Sequence, residues 1–399
     1  MKTAKIRVFF LSYYPPAPKM GGAMAFYRHF VERDDFELFA ATDDPDFRIN
    51  PPSYPSLAFD QPKWLDRIGH TRLFRWAHSY KHLVAGRFIP RSVMEAAEKF
   101  KPDLVFTIAG SWNWTAMMAQ NLSKKLGVPL VGSFNDWFDF NIIQHPCLHS
   151  VLEKKFRAFY RSCDLALCTC EGMQQALGPH PNAHILYPIG ARTEQAEMME
   201  TRDPDDKSRF VVAFAGNLSN WYGQMLQRLI ETAIKKQAPV DFRIYGGNQS
   251  WSTDFDRALR ERNIFRGQLP FAQLQGELAR ADALLLPMGF GTECEQIERT
   301  SFKTKFLDYL AIQKPIIVWG PEYCSAVRFA GEFDSAEITT EPDAEPVLQK
   351  ILSLCNSPVR QTELIGNARR MYEDRFHPDK IHSAFVHKIR ETIELNHAL

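Results

Sequence analysis

The sequence predicts an α/β protein made of two Rossmann-like, doubly wound domains facing a cleft, with C-terminal helices crossing back to the first domain. Three observations carry this expectation. The chain has 399 residues, long for a single hydrophobic core and comfortable for two. Short apolar runs alternate with amphipathic helical patterns, the mark of parallel sheets covered on both faces. That alternation breaks at a polar stretch and then restarts. With 45% hydrophobic and 24% charged residues, the composition is that of a soluble globular protein.

In the first half, strands are predicted at Ile6–Leu11, Glu37–Ala41, Leu104–Ile108, Leu130–Phe134 and Leu165–Thr169. Helices are predicted over Ala23–Glu32, Ser92–Phe100, Trp114–Leu126 and Val151–Arg161. The acid-rich stretch Arg192 to Arg209 reads as a linker. Beyond it come strands Phe210–Ala215, Phe242–Tyr245, Ala283–Pro287 and Ile316–Trp319, with a helix at Met225–Lys235. The tail from Pro358 reads as helices meeting at His377-Pro378, because proline disfavours helix in the residue before it. These boundaries divide the chain into 1–195, 205–375 and 376–399, the last packing back on the first. Ligands of doubly wound sheets bind beyond the carboxyl ends of the strands.

The run Ser301 to Pro321 carries the most chemistry. It reads as a loop, a helix and a buried strand closed by Gly320-Pro321. Lys305 and Asp308 are three apart, so on a helix they share a face near its N-terminus. An ammonium there suits a phosphate and a carboxylate suits paired sugar hydroxyls; the plain alternative is a surface ion pair worth little. Val211–Asn220, Phe242–Gly247, Phe265–Pro287 and Ser301–Pro321 are similar to successive segments of the GT-B nucleotide-sugar glycosyltransferases, and the chain resembles their family 4, or group 1. The first half matches more loosely, through a strand, Pro15-Pro16, Gly21-Gly22 and a helix.

The sequence departs from that family's pattern in three places. Where two glutamates often stand eight apart, it has Thr300 and Asp308, with Glu298 two residues earlier. A basic pair often follows the first glycine of the second domain, but here Asn217-Leu218-Ser219-Asn220-Trp221 stands after Gly216. In a related S-x-P-x-K pattern, Lys303 takes the place of proline.

The resemblance implies a reaction in which a sugar leaves a UDP- or GDP-linked donor for an acceptor hydroxyl, with retention, in glycan or surface polysaccharide synthesis. Lys305 would neutralise the departing diphosphate, together with backbone amides near Gly21, Gly22 and Gly216 and the guanidinium of Arg299. Asn217, Gly246, Thr300, Ser301 and Asp308 complete the expected donor site, and Glu298, a catalytic candidate beside Lys305, would hold sugar hydroxyls. In the first domain, Asn135-Asp136-Trp137-Phe138-Asp139 follows a strand. Asp136 there is the candidate catalytic base. Trp137 and His145 are candidate acceptor contacts; the plain alternative for this segment is an Asx turn with Trp137 as a core aromatic. A metal at His145, Cys147 and His149 is not expected, since Pro146 interrupts the spacing. No cofactor beyond the nucleotide sugar is expected. A sugar-nucleotide epimerase of the same architecture, or a non-catalytic binder, are the other readings.

Charge and cysteines set the remaining expectations. Lys+Arg 48 against Asp+Glu 47 leaves a net charge of +1, which points away from nucleic acid. Seven scattered cysteines fit a reducing cytoplasm. Residues 63–91 interleave seven basic residues and one acid, Asp66, with Trp64, Phe74, Trp76, Tyr80 and Phe88. That mixture suits either a helix on anionic lipid at the inner membrane face or an ordinary surface helix.

Overall fold

The computed structural model describes residues 4–19, 21–109, 114–137, 144–192 and 209–397. Most of the expected linker, Asp139 and the first three residues lie outside the described residues. The chain divides into two compact units, one of residues 1–188 with 381–399 and the other of residues 189–380.

The first unit holds a seven-stranded parallel sheet. Its strands are β1 (Ile6–Leu11), β2 (Phe36–Thr42), β3 (Ser56–Ala58), β4 (Leu104–Ala109), β5 (Leu130–Phe134), β6 (Leu165–Cys168) and β7 (Ala183–Ile185), in the order β3-β2-β1-β4-β5-β6-β7. The central strands β1, β4 and β5 are buried along almost their whole length because helices cover both faces, which removes the in–out alternation of a one-sided sheet. Phe10, Phe26, Phe30, Phe36 and Phe106 form an aromatic cluster on one face. The C-terminal helix Pro378–His397 supplies Phe385, Val386 and Ile389 to the same cluster. Near its start, His382 meets His29 through their Nδ1 atoms at 3.1 Å and reaches Asp35 through Nε2 at 2.9 Å.

The second unit holds β8 (Phe210–Ala215), β9 (Val240–Tyr245), β10 (Phe265–Gly267), β11 (Ala283–Pro287), β12 (Ile316–Trp319) and β13 (Glu337–Thr339), again parallel, in the order β10-β9-β8-β11-β12-β13. In both sheets the order reverses beside the first strand, at β1/β4 and at β8/β11. At such a switch point the connections leave in opposite directions and open a crevice at the carboxyl ends.

Five strands match the sequence reading end to end: β1, β5, β8, β11 and β12. The four three-residue strands β3, β7, β10 and β13 are sheet edges. The sequence did not mark β3, β7 or β13, because short, half-buried edges lack a continuous apolar run. His145 and His149 do not share a helix, contrary to the simple four-residue spacing. Pro146–Leu148 form a tight 3₁₀ turn, and the helix begins at His149. Among the described residues no group of three or more metal-ligating side chains converges.

Candidate active site

The second unit gathers its polar side chains at the β8/β11 switch point. Helix Thr304–Ile312 is fixed there by Tyr309, a buried phenol that accepts the Ala215 backbone N–H at 3.0 Å. Phe306, Leu307, Leu310 and Ile312 bury the helix's apolar face, so its N-terminal turn is set beside Gly216. Lys305 projects across that glycine: a Cβ at position 216 would fall on its Nζ. Its ammonium lies 4.7 Å from the centre of the Phe214 ring and 5.5 Å from that of Tyr222. Burial pushes the Lys305 ammonium down to about 8, the charge of Lys303 adds to the effect, and Glu298 opposes it.

Gly246 completes the floor. A Cβ there would collide with the carbonyl oxygen of Gly216, so two adjacent strand ends approach more closely than side chains permit. Asn217 closes the β8 turn by accepting the Ser219 N–H at 3.1 Å. Its position is exposed beside Lys305's glycine.

Glu298 is placed differently from the expected sugar contact. It is fully buried, with 0% exposure. Its Oε1 accepts from Trp221 Nε1 at 3.1 Å, Tyr222 hydroxyl at 2.8 Å and the Gly289 N–H at 3.1 Å, while Oε2 pairs with Lys303 Nζ at 2.7 Å. A carboxylate so enclosed, with its charge matched by Lys303, does not present an oxygen at the surface. Lys303 also donates to the Tyr222 hydroxyl at 3.0 Å. Burial works against its charge, but Tyr222 and Glu298 outweigh it and hold the ammonium above its usual range. Sequence reasoning treated Lys303 only as a missing proline, and it passed over Trp221 and Tyr222. The available signal was the pair Trp221-Tyr222, two ring donors placed just after the strand-end glycine.

Asp308 makes a contact within the unit that the sequence did not foretell. Its Oδ1 accepts the Ala191 N–H at 3.1 Å. Tyr372 donates to the Ala191 carbonyl at 3.0 Å, and Gly190 packs so tightly on Leu307 that no Cβ would fit. Asp308 therefore anchors the 189–191 segment to the helix that carries Lys305. Arg299 is exposed, pairs with Glu295 at 2.7 Å and lies over the Tyr323 ring at 4.4 Å. Thr300 turns back to the Gln296 carbonyl at 2.7 Å, and Ser301 is buried at the end of the same short helix. Lys305, Gly216, Gly246 and Asn217 are thus brought together, whereas Glu298 sits behind Tyr222 and Lys303, and Thr300 and Ser301 are buried at the end of the short helix.

In the first unit, Gly21 caps helix Gly22–Phe30 with φ 78° and open space where a side chain would stand. The Tyr14 hydroxyl lies against Gly22. Asp136 is exposed just beyond β5, and its charge helps raise both Tyr13 and Tyr14 after the larger effect of their burial. Trp137 is a core residue instead of an open stacking platform. It is 9% exposed, edge-on to Phe156 and covered by the Arg157 guanidinium at 5.0 Å. His145 stacks on Trp76 at 4.1 Å between ring centres and meets Cys147 Sγ at 2.9 Å.

Two family descriptions match this chain: Glycosyltransferase Family 4 over residues 23–185 and Glycosyl transferases group 1 over residues 209–357. Each falls on one of the two sheets, and together they cover most of the protein. The chain belongs to the family 4, group 1 glycosyltransferases. Solved structures agree on the fold. HepE of Anabaena, crystallised with UDP, superposes with a TM-score of 0.67 at 15% identity, covering 97% of this chain and 100% of that one. A glycosyltransferase from Rickettsia africae gives 0.65 at 13% identity, over 98% and 99% of the two chains. A UDP-forming α,α-trehalose-phosphate synthase from Burkholderia xenovorans, crystallised with glucose-6-phosphate, gives 0.64 at 12% identity, over 98% and 100%. No curated protein sequence matches the chain. This glycosyltransferase uses a nucleotide-sugar donor and has the GT-B fold.

Proposed function

We propose that this glycosyltransferase takes its sugar from a uridine diphosphate donor and passes it to an acceptor hydroxyl with retention of anomeric configuration. One observation supports the site above all others: the Lys305 ammonium is held over Gly216 at the β8/β11 switch point, in surroundings that penalise its charge. A cation kept at such a cost is stabilised by an arriving anion. The crystallised complexes of HepE with UDP and UDP-glucose favour uridine over guanosine.

In the reaction, the bond from the anomeric carbon to the diphosphate breaks as the acceptor oxygen bonds to that carbon. The acceptor's proton passes to the departing phosphate oxygen. Lys305 stabilises the charge developing on the leaving group, and the Gly216–Asn217 turn brings backbone close to it. Glu298 and Lys303 act as positioning residues through Tyr222. Retention follows from the family resemblance. A growing glycan is the proposed acceptor.

Nucleotide release from a donor panel, with and without glycan acceptor, tests the reaction. Release from the uridine donor that depends on acceptor, with an unchanged anomer by NMR, is the expected result. Replacing Lys305 by Ala should abolish turnover and weaken UDP binding by about 10- to 100-fold, as expected for a charge-assisted contact. The variant's melting temperature should not fall, because the lost ammonium was penalised by burial. Unchanged UDP affinity in Lys305→Ala would remove the site assignment.

A further inference from the structure

One surface of the first unit takes no part in the proposed reaction. Among the described residues, half of the exposed large apolar side chains fall in residues 64–88: Trp64 (49%), Leu73 (56%), Phe74 (36%), Trp76 (47%) and Phe88 (68%). They do not scatter at random over the first unit. Helices Lys63–Gly69 and Phe74–Leu83 pack against each other as a hairpin. Trp64 meets Tyr80 edge-on at 5.3 Å between ring centres. Leu73, Trp76 and Tyr80 follow one another at helical spacing, so they line one side of the second helix. Buried Leu65, Ala77, Ser79 and His82 hold the hairpin to the unit from the other side.

The charges around this ridge are predominantly positive. Residues 63–91 contain seven lysines and arginines and a single acid. Some of these are committed within the fold: Lys81 faces Asp43 at 3.9 Å, and Arg91 pairs with Glu95 at 2.7 Å. The acid, Asp66, accepts from Gln61 at 3.0 Å. Lys63, Arg67 and Arg72 are exposed beside the apolar ridge, with Arg67 one helical turn from Trp64 and Arg72 adjoining Leu73. Large aromatic groups ringed by cations are unfavourable facing water. At a lipid interface the rings enter the headgroup boundary while long basic side chains reach anionic headgroups.

We propose that the 63–80 hairpin is a docking surface for an anionic lipid bilayer. The match is one of charge and shape: cations for the headgroups, and Trp64, Leu73, Phe74 and Trp76 for the acyl boundary. Docking is peripheral, since no described helix is long and apolar enough to cross a membrane. This inference does not depend on the donor site, because the surface requires neither nucleotide nor turnover.

The test uses the full chain with vesicles of phosphatidylglycerol mixed into phosphatidylcholine, or of phosphatidylcholine alone. Brominated acyl chains report tryptophan insertion by quenching. Quenching is expected with the anionic vesicles, not with the neutral ones, and should fade as salt rises. Replacing Lys63, Arg67 and Arg72 together by Gln should weaken binding by about 100-fold, at roughly one kcal/mol for each cation near the surface. Leu73→Ser with Phe74→Ser should also lose quenching while circular dichroism and UDP binding stay as in the parent. The proposal is overturned if the parent shows no quenching, if the triple Gln variant binds as tightly as the parent, or if sedimentation shows the hairpin occupied by a second copy in solution.

Discussion

Lys305 illustrates how a single residue's environment becomes a measurable property. Its value near 8 lies well below that of an exposed lysine because burial and the nearby Lys303 disfavour the charge. A bound diphosphate adds negative charge and raises that value, so the complex holds a proton that the free protein releases above pH 8. UDP affinity should therefore fall by about twofold from pH 7 to pH 8 and more steeply above that, approaching tenfold per pH unit. Calorimetric titrations from pH 7 to 10 would show it, and Lys305→Ala should lack the inflection. An affinity independent of pH in the parent would mean the ammonium does not face the phosphates.

At the scale of elements, the β8 and β9 ends are where glycine is required for two different reasons. A methyl group at Gly216 would meet the far end of the Lys305 side chain, which can swing aside. Gly216 also holds φ 152°, which L side chains rarely adopt, so Gly216→Ala should lose a little stability through the backbone and, through a displaced ammonium, UDP affinity and turnover. A methyl group at Gly246 would meet the backbone carbonyl of Gly216, and the two strand ends would have to separate. Gly246→Ala should cost stability outright, by about 1–3 kcal/mol, seen as a lower midpoint in urea. Equal midpoints for the two variants would contradict this account. The same logic explains Glu298, Trp221 and Tyr222: they join the short helix Glu295–Thr300, the turn at Gly289 and helix Asn220–Lys235 into one support for Lys303.

Across the whole molecule, the chain's final helix returns to the first unit's core. His29 is buried there against His382 and Phe385. Burial, then His382 and Arg33, keep His29 far below the ordinary imidazole value. The unfolded chain takes up a proton at this site near pH 6.5 while the native protein does not, so stability falls as pH drops below about 6.5. Chemical denaturation at pH 7.5 and 5.5 should show the parent losing about 1 kcal/mol at this site, and His29→Phe should lose less. Identical losses in both proteins would show that His29 does not set the acid sensitivity of this core.

Much of this architecture was legible in the sequence because its signals are local. Runs such as Phe210–Ala215 and Ile316–Trp319 are apolar throughout, since both faces of a parallel sheet are covered, and neighbours along the chain suffice to read that. The family motif likewise lies within one continuous stretch, Ser301 to Pro321, and it located Lys305 at the strand ends. What tertiary structure alone decided is which partner each polar group meets. Glu298 looked available because its neighbours in sequence are polar, yet Trp221, Tyr222 and Lys303 converge on it from other elements and enclose it. Trp137 likewise had two sequence readings, and packing against Phe156 and Arg157 chose between them. Secondary structure is dictated by spacing of a few residues; burial and charge pairing depend on groups brought together from far along the chain, 117 positions apart for Ala191 and Asp308 and 353 for His29 and His382.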